Sequence, residues 1–285
     1  MEEKKTMKRA KINFVQETGH CEHGQSTLGQ AILSGNHIYV RELLEKLPPT
    51  DVLEKSALGR TFLHTAADMG NFKMVRLLLN QGIDVNTKDS GHWTALHYSS
   101  ENGNQRISKL LLEYGCNVNE RTENMNWTPL HLCASKGHAK LASLLLENGA
   151  EVNSLTADKW SPLLLAAHAG HIKTCQYLIK NNADINYYDP TEMETPLHKA
   201  CRNGHEAIGK LLIEHGAAIT LDRMGLTPLA HAIACDFNWQ ISIQCGKTNE
   251  EILDEIVAEE SDYDEEEETT AMHPKKIIPL LDKSR

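Results

Sequence analysis

One four-residue pattern recurs along the chain at an almost constant interval, and this recurrence constrains the fold more than any other feature. Four copies read nearly alike: Thr61-Phe62-Leu63-His64, Thr94-Ala95-Leu96-His97, Thr128-Pro129-Leu130-His131 and Thr195-Pro196-Leu197-His198. Weaker copies begin at Ser26, Ser161 and Thr227, so successive starts lie 32 to 35 residues apart. A period of this length predicts a stack of small units rather than one globular core.

Each copy of this tetrad is followed by the rest of one structural unit. A glycine stands six residues after the histidine position, as at Gly137, and a leucine-rich run then ends at a second glycine, as at Gly149. Thr128 can cap a first helix with its hydroxyl, and Pro129 suits the first helical position, where no N–H is needed. The glycines supply the left-handed backbone that ends a helix. The pattern therefore predicts two short helices and a hairpin per unit.

Together, the tetrad, the two glycines and the period resemble the ankyrin repeat. The resemblance implies an all-α ankyrin-repeat solenoid of about seven helix-turn-helix-hairpin units, with the end units as caps. The expected domains are an N-terminal extension (1–25), a repeat domain (26–249, with starts near 26, 61, 94, 128, 161, 195 and 227) and a tail (250–285). The resemblance also implies that the tetrad histidines hydrogen-bond backbone between adjacent loops. Leu164 and Ala230 stand at the histidine position, so this bond is not expected in their units. In the last unit, Asp236 replaces the glycine that ends the first helix, so this helix is expected to continue toward Trp239.

The formal net charge of −10 is concentrated near the end of the chain. Residues 250–268 hold 12 acidic side chains and no Lys or Arg, which leaves 27 acidic against 29 basic residues elsewhere. A block of this density cannot bury a core, so we expect a disordered acidic tail that ends in a short basic and apolar segment. Direct nucleic-acid binding is not expected, because phosphate contacts need a basic face.

The sequence also bears on cellular location. No apolar stretch approaches the length that spans a bilayer, and the first residues lack the apolar region of a secretion signal, so neither membrane nor secretion is expected. Seven cysteines without paired spacing favour a reducing compartment over a disulfide framework. The expected location is cytoplasmic, with Lys4-Lys5 and Lys8-Arg9 as a weak hint of the nucleus.

Catalytic, metal and cofactor sites are not expected. Eight of the 15 histidines occupy repeat-signature positions, and the His-Cys-Glu-His group at residues 20–23 lacks the second Cys/His pair of a tetrahedral zinc site. Cys133 and Cys201 fall in the small-residue stretch of a first helix, where they act as small hydrophobes. The spaced glycines follow helices rather than precede them, so they are helix stops and not phosphate loops.

Departures from the repeat framework mark a candidate partner surface. Two columns of large side chains flank the tetrad: Trp93, Trp127 and Trp160 before it, and Tyr98, Leu132 and Leu165 after the histidine position. Aromatic anchors in a groove are typical interface hot spots. The alternative, that these side chains pack against neighbouring loops, stays open. Basic residues in the C-terminal half complete the predicted contact set and favour an acidic segment of the partner: Lys136, Lys159, Lys199 and Arg202.

This surface predicts a monomeric, non-catalytic adaptor, scaffold or inhibitor that holds a protein partner. The alternatives are a nuclear or transcriptional regulator of the ankyrin inhibitor type and a substrate receptor of a ubiquitin ligase. The acidic run at 250–268 is a further candidate occupant, because it could compete with a partner for the four basic residues.

Two kinds of modification site are also predicted. Four hairpin asparagines resemble substrates of the oxygen-sensing asparagine hydroxylase that modifies ankyrin domains: Asn86, Asn119, Asn153 and Asn186. The alternative is that asparagine suits the turn by bonding its own backbone. Ser261, followed by an acidic stretch, resembles an acidophilic kinase site.

Overall fold

The computed structural model describes residues 28–46 and 55–235, and these residues form 13 α-helices and no strand. The first helices of the units are α1 (Leu28–Leu33), α3 (Phe62–Asp68), α5 (Ala95–Glu101), α7 (Pro129–Lys136), α9 (Pro162–Ala169), α11 (Pro196–Arg202) and α13 (Pro228–Ala234). The second helices are α2 (His37–Lys46), α4 (Phe72–Asn80), α6 (Gln105–Glu113), α8 (Ala139–Glu147), α10 (Ile172–Lys180) and α12 (Glu206–Glu214). The predicted all-α repeat architecture is confirmed.

The helices stack in two rows. Each first helix packs against the first helix of the next unit, and the second helices form a row behind them. Buried leucines at matching positions fill the space between the rows: Leu63, Leu96, Leu130 and Leu163 from first helices, and Leu78, Leu111, Leu145, Leu178 and Leu212 from second helices. Burying one such leucine contributes roughly 1.5–3 kcal/mol. Because each helix pair is too small to bury its own leucines, the units are stable only as a stack.

Two separate constraints require glycine at the end of the first helix: the backbone conformation and the close approach of the next unit. Gly137 has a φ of 77° and caps α7 in the left-handed conformation, which other residues adopt at a cost. A Cβ at Gly137 would also lie 2.5 Å from the ring of His171, which belongs to the next unit. Gly170 repeats the arrangement with His205, at 2.6 Å. The glycine therefore ends its own helix and lets the next unit approach.

The hairpins form one edge of the stack, beside the first helices. Backbone hydrogen bonds join neighbouring hairpins, as from Ser90 N–H to the carbonyl of Leu58 and from Ala157 N–H to the carbonyl of Met125, both at 2.9 Å. Four hairpins place a non-glycine residue at positive φ: His92, Asn126, Lys159 and Met193. The surface formed by the hairpins and first helices, the groove face, carries the predicted contact residues.

Several predictions lie outside the described residues. These are the N-terminal extension, the group at residues 20–23, the acidic tail with Ser261 and the run of the last first helix toward Trp239. Within the described ranges, every helix is too short or too polar to cross a bilayer.

Candidate protein-binding face

The tetrad histidines bridge adjacent hairpins, as the family resemblance implies. His64 accepts a hydrogen bond at Nδ1 from Thr61 N–H (3.0 Å), so Nε2 carries the proton and lies 3.0 Å from the carbonyls of Thr87 and Trp93. The bridge recurs from His97 to Glu120 and Trp127, from His131 to Ser154, and from His198 to Leu226. Burial lowers the pKa of His97 and His131 to about 4, which keeps both rings neutral at physiological pH.

A second set of histidines, His138, His171 and His205, joins three of the units to the preceding ones. His138 donates from Nε2 to the carbonyl of Glu101 at 3.0 Å, and His171 donates to the carbonyl of Ser135 at 3.1 Å. These bonds satisfy carbonyls at the end of the preceding first helix, which has no backbone partner for them. The predicted structural role of these two histidines is confirmed.

The tryptophan column lies on the groove face with partly exposed rings. Trp93, Trp127 and Trp160 are all half-buried. The backbone N–H of each is held by a hairpin side chain, from Asp89, Thr122 and Thr156 respectively. The backbone of each of the three tryptophans is therefore held in place, and each residue keeps some solvent-accessible surface.

The second predicted column is turned into the protein. Tyr98, Leu132 and Leu165 are 5%, 4% and 9% exposed. These side chains offer little surface to a partner, and their packing matches the alternative that the sequence left open. Partner contact through Trp93 and its equivalents stays a prediction that the burial pattern permits.

In five places, a hairpin residue is paired with the side chain that follows the histidine position in the next first helix. Where the hairpin carries Asp, the residue after the histidine position is a hydrogen-bond or charge donor. Where the hairpin carries Thr, that residue is leucine. The Asp pairs are Asp89 with Tyr98 (2.5 Å), Asp189 with Lys199 (3.1 Å) and Asp222 with His231 (2.7 Å), and the Thr pairs are Thr122 with Leu132 and Thr156 with Leu165. The second carboxylate oxygen, Oδ1, of Asp89 and of Asp222 accepts backbone N–H groups of its own hairpin. One of these N–H groups belongs to the residue just before the tetrad, Trp93 or Leu226. The sequence signal, Asp followed nine or ten residues later by a donor, was missed.

The basic end of the groove is largely neutralised within the stack. Lys199 is 5% exposed, and its Nζ contacts Glu194 Oε2 at 2.5 Å and Asp189 Oδ2 at 3.1 Å. Arg202 holds the other oxygen of Glu194 at 2.7 Å. The expectation that Lys199 presents free charge to an acidic segment needs correcting, because this side chain is buried between two carboxylates of the same stack. The side chain of Arg202 is 53% exposed, so its contact with a partner stays a prediction.

The other two predicted basic contacts are exposed. Lys136 Nζ lies 3.9 Å from Glu101 Oε1, too far for a hydrogen bond. Lys159 stands at a hairpin tip with a φ of 62°, and its carbonyl accepts a hydrogen bond from the hydroxyl of Tyr187. A role for Lys136 and Lys159 in partner binding stays a prediction.

One side-chain cluster has the composition of a metal site. Ligand atoms of Glu194, Asp222 and His231 lie within 4.8 Å of one another, and all three residues are buried. Both oxygens of Glu194 already contact Lys199 and Arg202, and Asp222 Oδ2 lies 2.7 Å from His231 Nε2. Because Lys199 and Arg202 already pair with Glu194, and His231 already contacts Asp222, these residues suit an internal ion-pair network better than a metal centre.

Thiol chemistry is not favoured at four of the described cysteines, of which Cys116 is partly buried and the other three are buried. Desolvation raises the pKa of Cys116, Cys133, Cys175 and Cys201 to about 12, so all four are protonated at neutral pH. A nucleophilic cysteine needs the thiolate. The packing of Cys133 and Cys201 agrees with their interpretation as small hydrophobes.

The hairpin asparagines clamp neighbouring units. Asn119 Oδ1 accepts from Glu151 N–H at 2.8 Å, and its Nδ2 donates to the carbonyl of Gly149 at 3.0 Å. The same two-point contact is made by Asn86, Asn153 and Asn186. The alternative interpretation needs correcting, because these amides bond the next unit's backbone rather than their own turn. Their hydroxylation stays a prediction.

A pocket of about 270 Å³ opens on the groove face beside Trp93. Its walls include Leu58, Arg60 and Asp89 from two neighbouring hairpins, and Tyr98 and Glu101 from α5. The guanidinium of Arg60 lies 4.6 Å over the ring of Tyr98. Aromatic faces and carboxylates therefore border the same space.

These features define a helical solenoid whose exposed groove, rather than an enclosed catalytic cleft, carries the distinctive side chains. A family model of ankyrin repeats (3 copies) matches residues 6–89, 28–122, 87–156, 120–189 and 163–241. The chain belongs to the ankyrin-repeat family. Ankyrin repeats are generally protein–protein interaction modules, and their fold is typically non-catalytic. No curated protein matches the chain.

Proposed function

We propose that the chain is a monomeric, non-catalytic adaptor, scaffold or inhibitor that holds a protein partner along the groove face. The observation that carries this proposal is the column of half-buried indoles at Trp93, Trp127 and Trp160 in three consecutive units. The cytoplasm or the nucleus is the proposed location, since the cysteine pattern suits a reducing compartment.

The physical argument rests on how interfaces distribute energy. A few large side chains near the centre of an interface, tryptophan above all, account for most of the affinity. The three indoles lie on a rigid scaffold, because hairpin side chains hold the backbone N–H of each. Little ordering entropy is then lost on binding, and three or four units can bury the roughly 1,200–2,000 Å² of a standard interface.

Affinity capture with the full-length chain as bait tests this function. The wild-type chain, Trp127→Ala and Tyr114→Ala are compared, and captured proteins are identified by mass spectrometry. Tyr114 is a matched control, because it is an exposed aromatic residue at the end of α6, a second helix. A partner bound through the groove is retained by Tyr114→Ala and lost with Trp127→Ala.

Circular dichroism of both variants separates binding from folding. The proposal holds if Trp127→Ala keeps the helical signal of the wild-type chain and binds the partner at least about tenfold more weakly, as a hot-spot residue should. Equal retention of every specific partner by the wild-type chain and the folded Trp127→Ala variant contradicts it.

A further inference from the structure

The second helices carry a row of exposed positive charge behind the first helices. Four consecutive second helices, α4, α6, α8 and α10, have cations at their second or fifth position, and we call these six residues the second-helix strip: Lys73, Arg76, Arg106, Lys109, Lys140 and Lys173. Positions three apart share one face of a helix, and the repeat brings the same face of each unit into line. The acidic residues of these four helices are Glu113 and Glu147, each the last residue of its helix.

The strip is not neutralised by the part of the chain that the structure describes. Within residues 28–46 and 55–235, none of its six cations forms an ion pair with a carboxylate. In the following unit, by contrast, Lys210 at the fifth position of α12 pairs with Glu206 at the first, at 2.6 Å. The guanidinium of Arg106 lies 5.0 Å from the ring centre of Phe72 in the preceding unit, a contact that leaves its charge uncompensated. A cation in the first turn is also opposed by the helix dipole, so folding alone does not account for this charge.

The chain itself contains a segment of opposite charge that is long enough to cover the strip. Residues 250–268 hold 12 acidic side chains and no Lys or Arg, and eight of the 12 fall within residues 259–268. The segment begins 15 residues after Cys235, which follows α13 of the last unit. Fifteen residues reach at most about 50 Å, whereas two helix layers of 8–10 Å separate α13 from Lys173, roughly 20 Å along the stack. From Lys173 to Lys73 is roughly 30 Å more, and the acidic run can span about 60 Å.

We propose that the acidic run at residues 250–268 binds the second-helix strip of its own chain. Its carboxylates supply the counter-charge that the described residues do not, and attachment to the same chain gives them an effective concentration on the order of millimolar. The groove face offers the run less, because Lys199 is buried and Arg202 already contacts Glu194 at 2.7 Å. Since the second helices lie behind the first helices, the contact leaves the groove face open to a protein partner.

Zero-length crosslinking of the full-length chain tests this contact. A carbodiimide joins a lysine amine directly to a carboxylate, and mass spectrometry identifies the linked peptides. A mixture of ¹⁴N- and ¹⁵N-labelled chains distinguishes a link within one chain from a link between two copies. Lys180 is the matched control lysine, because it is exposed on the same helix as Lys173 but about 10 Å farther along the axis. The link between Lys210 and Glu206 is the internal reference for the reagent.

The strip lysines should link to the acidic run within one chain. At 0.1 M salt we expect at least about fivefold more links from each of them than from Lys180, which lies about one Debye length away. At 1 M salt the Debye length falls to about 3 Å, so these links should decrease at least about fivefold. The reference link should change much less, because one helix holds both of its residues. The strip lysines are Lys73, Lys109, Lys140 and Lys173.

Two arginine variants separate the strip from a general effect of charge. Arg76→Gln/Arg106→Gln removes two charges of the strip but none of its crosslinkable amines, so links from the strip lysines should decrease about threefold or more at 0.1 M salt. Arg121→Gln/Arg223→Gln removes the same charge from two exposed hairpin positions and should leave these links unchanged. Circular dichroism checks that both variants keep the helical signal of the wild-type chain.

Four results overturn the contact: as many links from Lys180 as from the strip lysines, links that persist at 1 M salt, equal losses in the two double variants, or links only between ¹⁴N and ¹⁵N chains. The last result would assign the strip to the acidic run of a second copy. The wild-type comparisons of salt and of Lys180 decide the question even if a variant misfolds. Capture of a partner through Trp127 does not involve the second helices, so the proposed function stands or falls separately.

Discussion

The hydroxyl of Tyr98 donates a 2.5 Å hydrogen bond to Oδ2 of Asp89, and both side chains are buried. Burial raises the pKa of the Tyr98 hydroxyl, so the group stays protonated and remains a donor. The Oδ1 atom of Asp89 accepts the N–H groups of Gly91 and Trp93. A single carboxylate thus orders the hairpin with one oxygen and ties it to α5 with the other.

Removing the donor should cost more than removing the whole pair. Tyr98→Leu leaves a buried carboxylate oxygen without its hydroxyl partner, so the free energy of unfolding should fall by about 1–3 kcal/mol beyond the loss of ring packing. The double variant Asp89→Thr/Tyr98→Leu copies Thr156 and Leu165, a pair from a hairpin of the same length. It should recover at least about 1 kcal/mol of that loss in urea unfolding, as expected for directly coupled residues. Strict additivity of Asp89→Thr and Tyr98→Leu would contradict the pairing.

Stability should decline in mild acid because of the tetrad histidines. Burial lowers the pKa of His97 and His131 from 6.5 to about 4, and it lowers the pKa of His64 and His198 in the same direction. Below pH 6.5 these histidines bind protons in the unfolded chain but remain neutral in the folded chain. The free energy of unfolding therefore falls as pH falls toward 4. His97 and His131 together should remove about 3 kcal/mol between pH 6.5 and 5.

Urea unfolding at several pH values measures this slope. His131→Gln removes one titrating group, so it should reduce the loss between pH 6.5 and 5 by about half even if the variant is less stable throughout. A free energy of unfolding that stays level or rises over this interval would show that the buried rings do not govern the acid response.

Part of the groove could be derived from the sequence because it depends on local pattern. The tetrad and the period place His64 and Trp93 correctly, since each unit repeats the same backbone. The pairing of Lys199 with Asp189 and Glu194 was not predicted, because it depends on how a hairpin folds over its own first helix. Charge counted by position treats such a residue as free surface charge, whereas burial beside two carboxylates removes it from the surface.

Contacts between units were harder to predict still. The guanidinium of Arg60 lies over Tyr98, and the ring of His171 lies where a Cβ of Gly137 would be. The two pairs are 38 and 34 positions apart in the sequence. They depend on the angle between stacked units, which the periodicity alone does not specify.

Two glycine variants should separate backbone strain from contact between units. Gly115 and Gly137 have nearly equal φ values, 79° and 77°, but a Cβ at Gly115 has no atom within 4 Å. Gly115→Ala should therefore cost only the left-handed strain, about 1–2 kcal/mol. Gly137→Ala should cost about 1–3 kcal/mol more, because His171 must move and give up its bond to Ser135. If both variants lose the same free energy of unfolding in urea, His171 can move away from residue 137 at no energetic cost, which contradicts this prediction.

Lys199 should prove a stability residue rather than a partner contact. Lys199→Met leaves Asp189 and Glu194 buried with one cation fewer, and breaking a buried pair in this way costs about 3–5 kcal/mol. Lys140→Met, at an exposed position of α8, should change the free energy of unfolding by less than about 0.5 kcal/mol. At a temperature where Lys199→Met is still folded, partner capture should match that of the wild-type chain. Unchanged stability together with lost capture would instead place Lys199 in the interface.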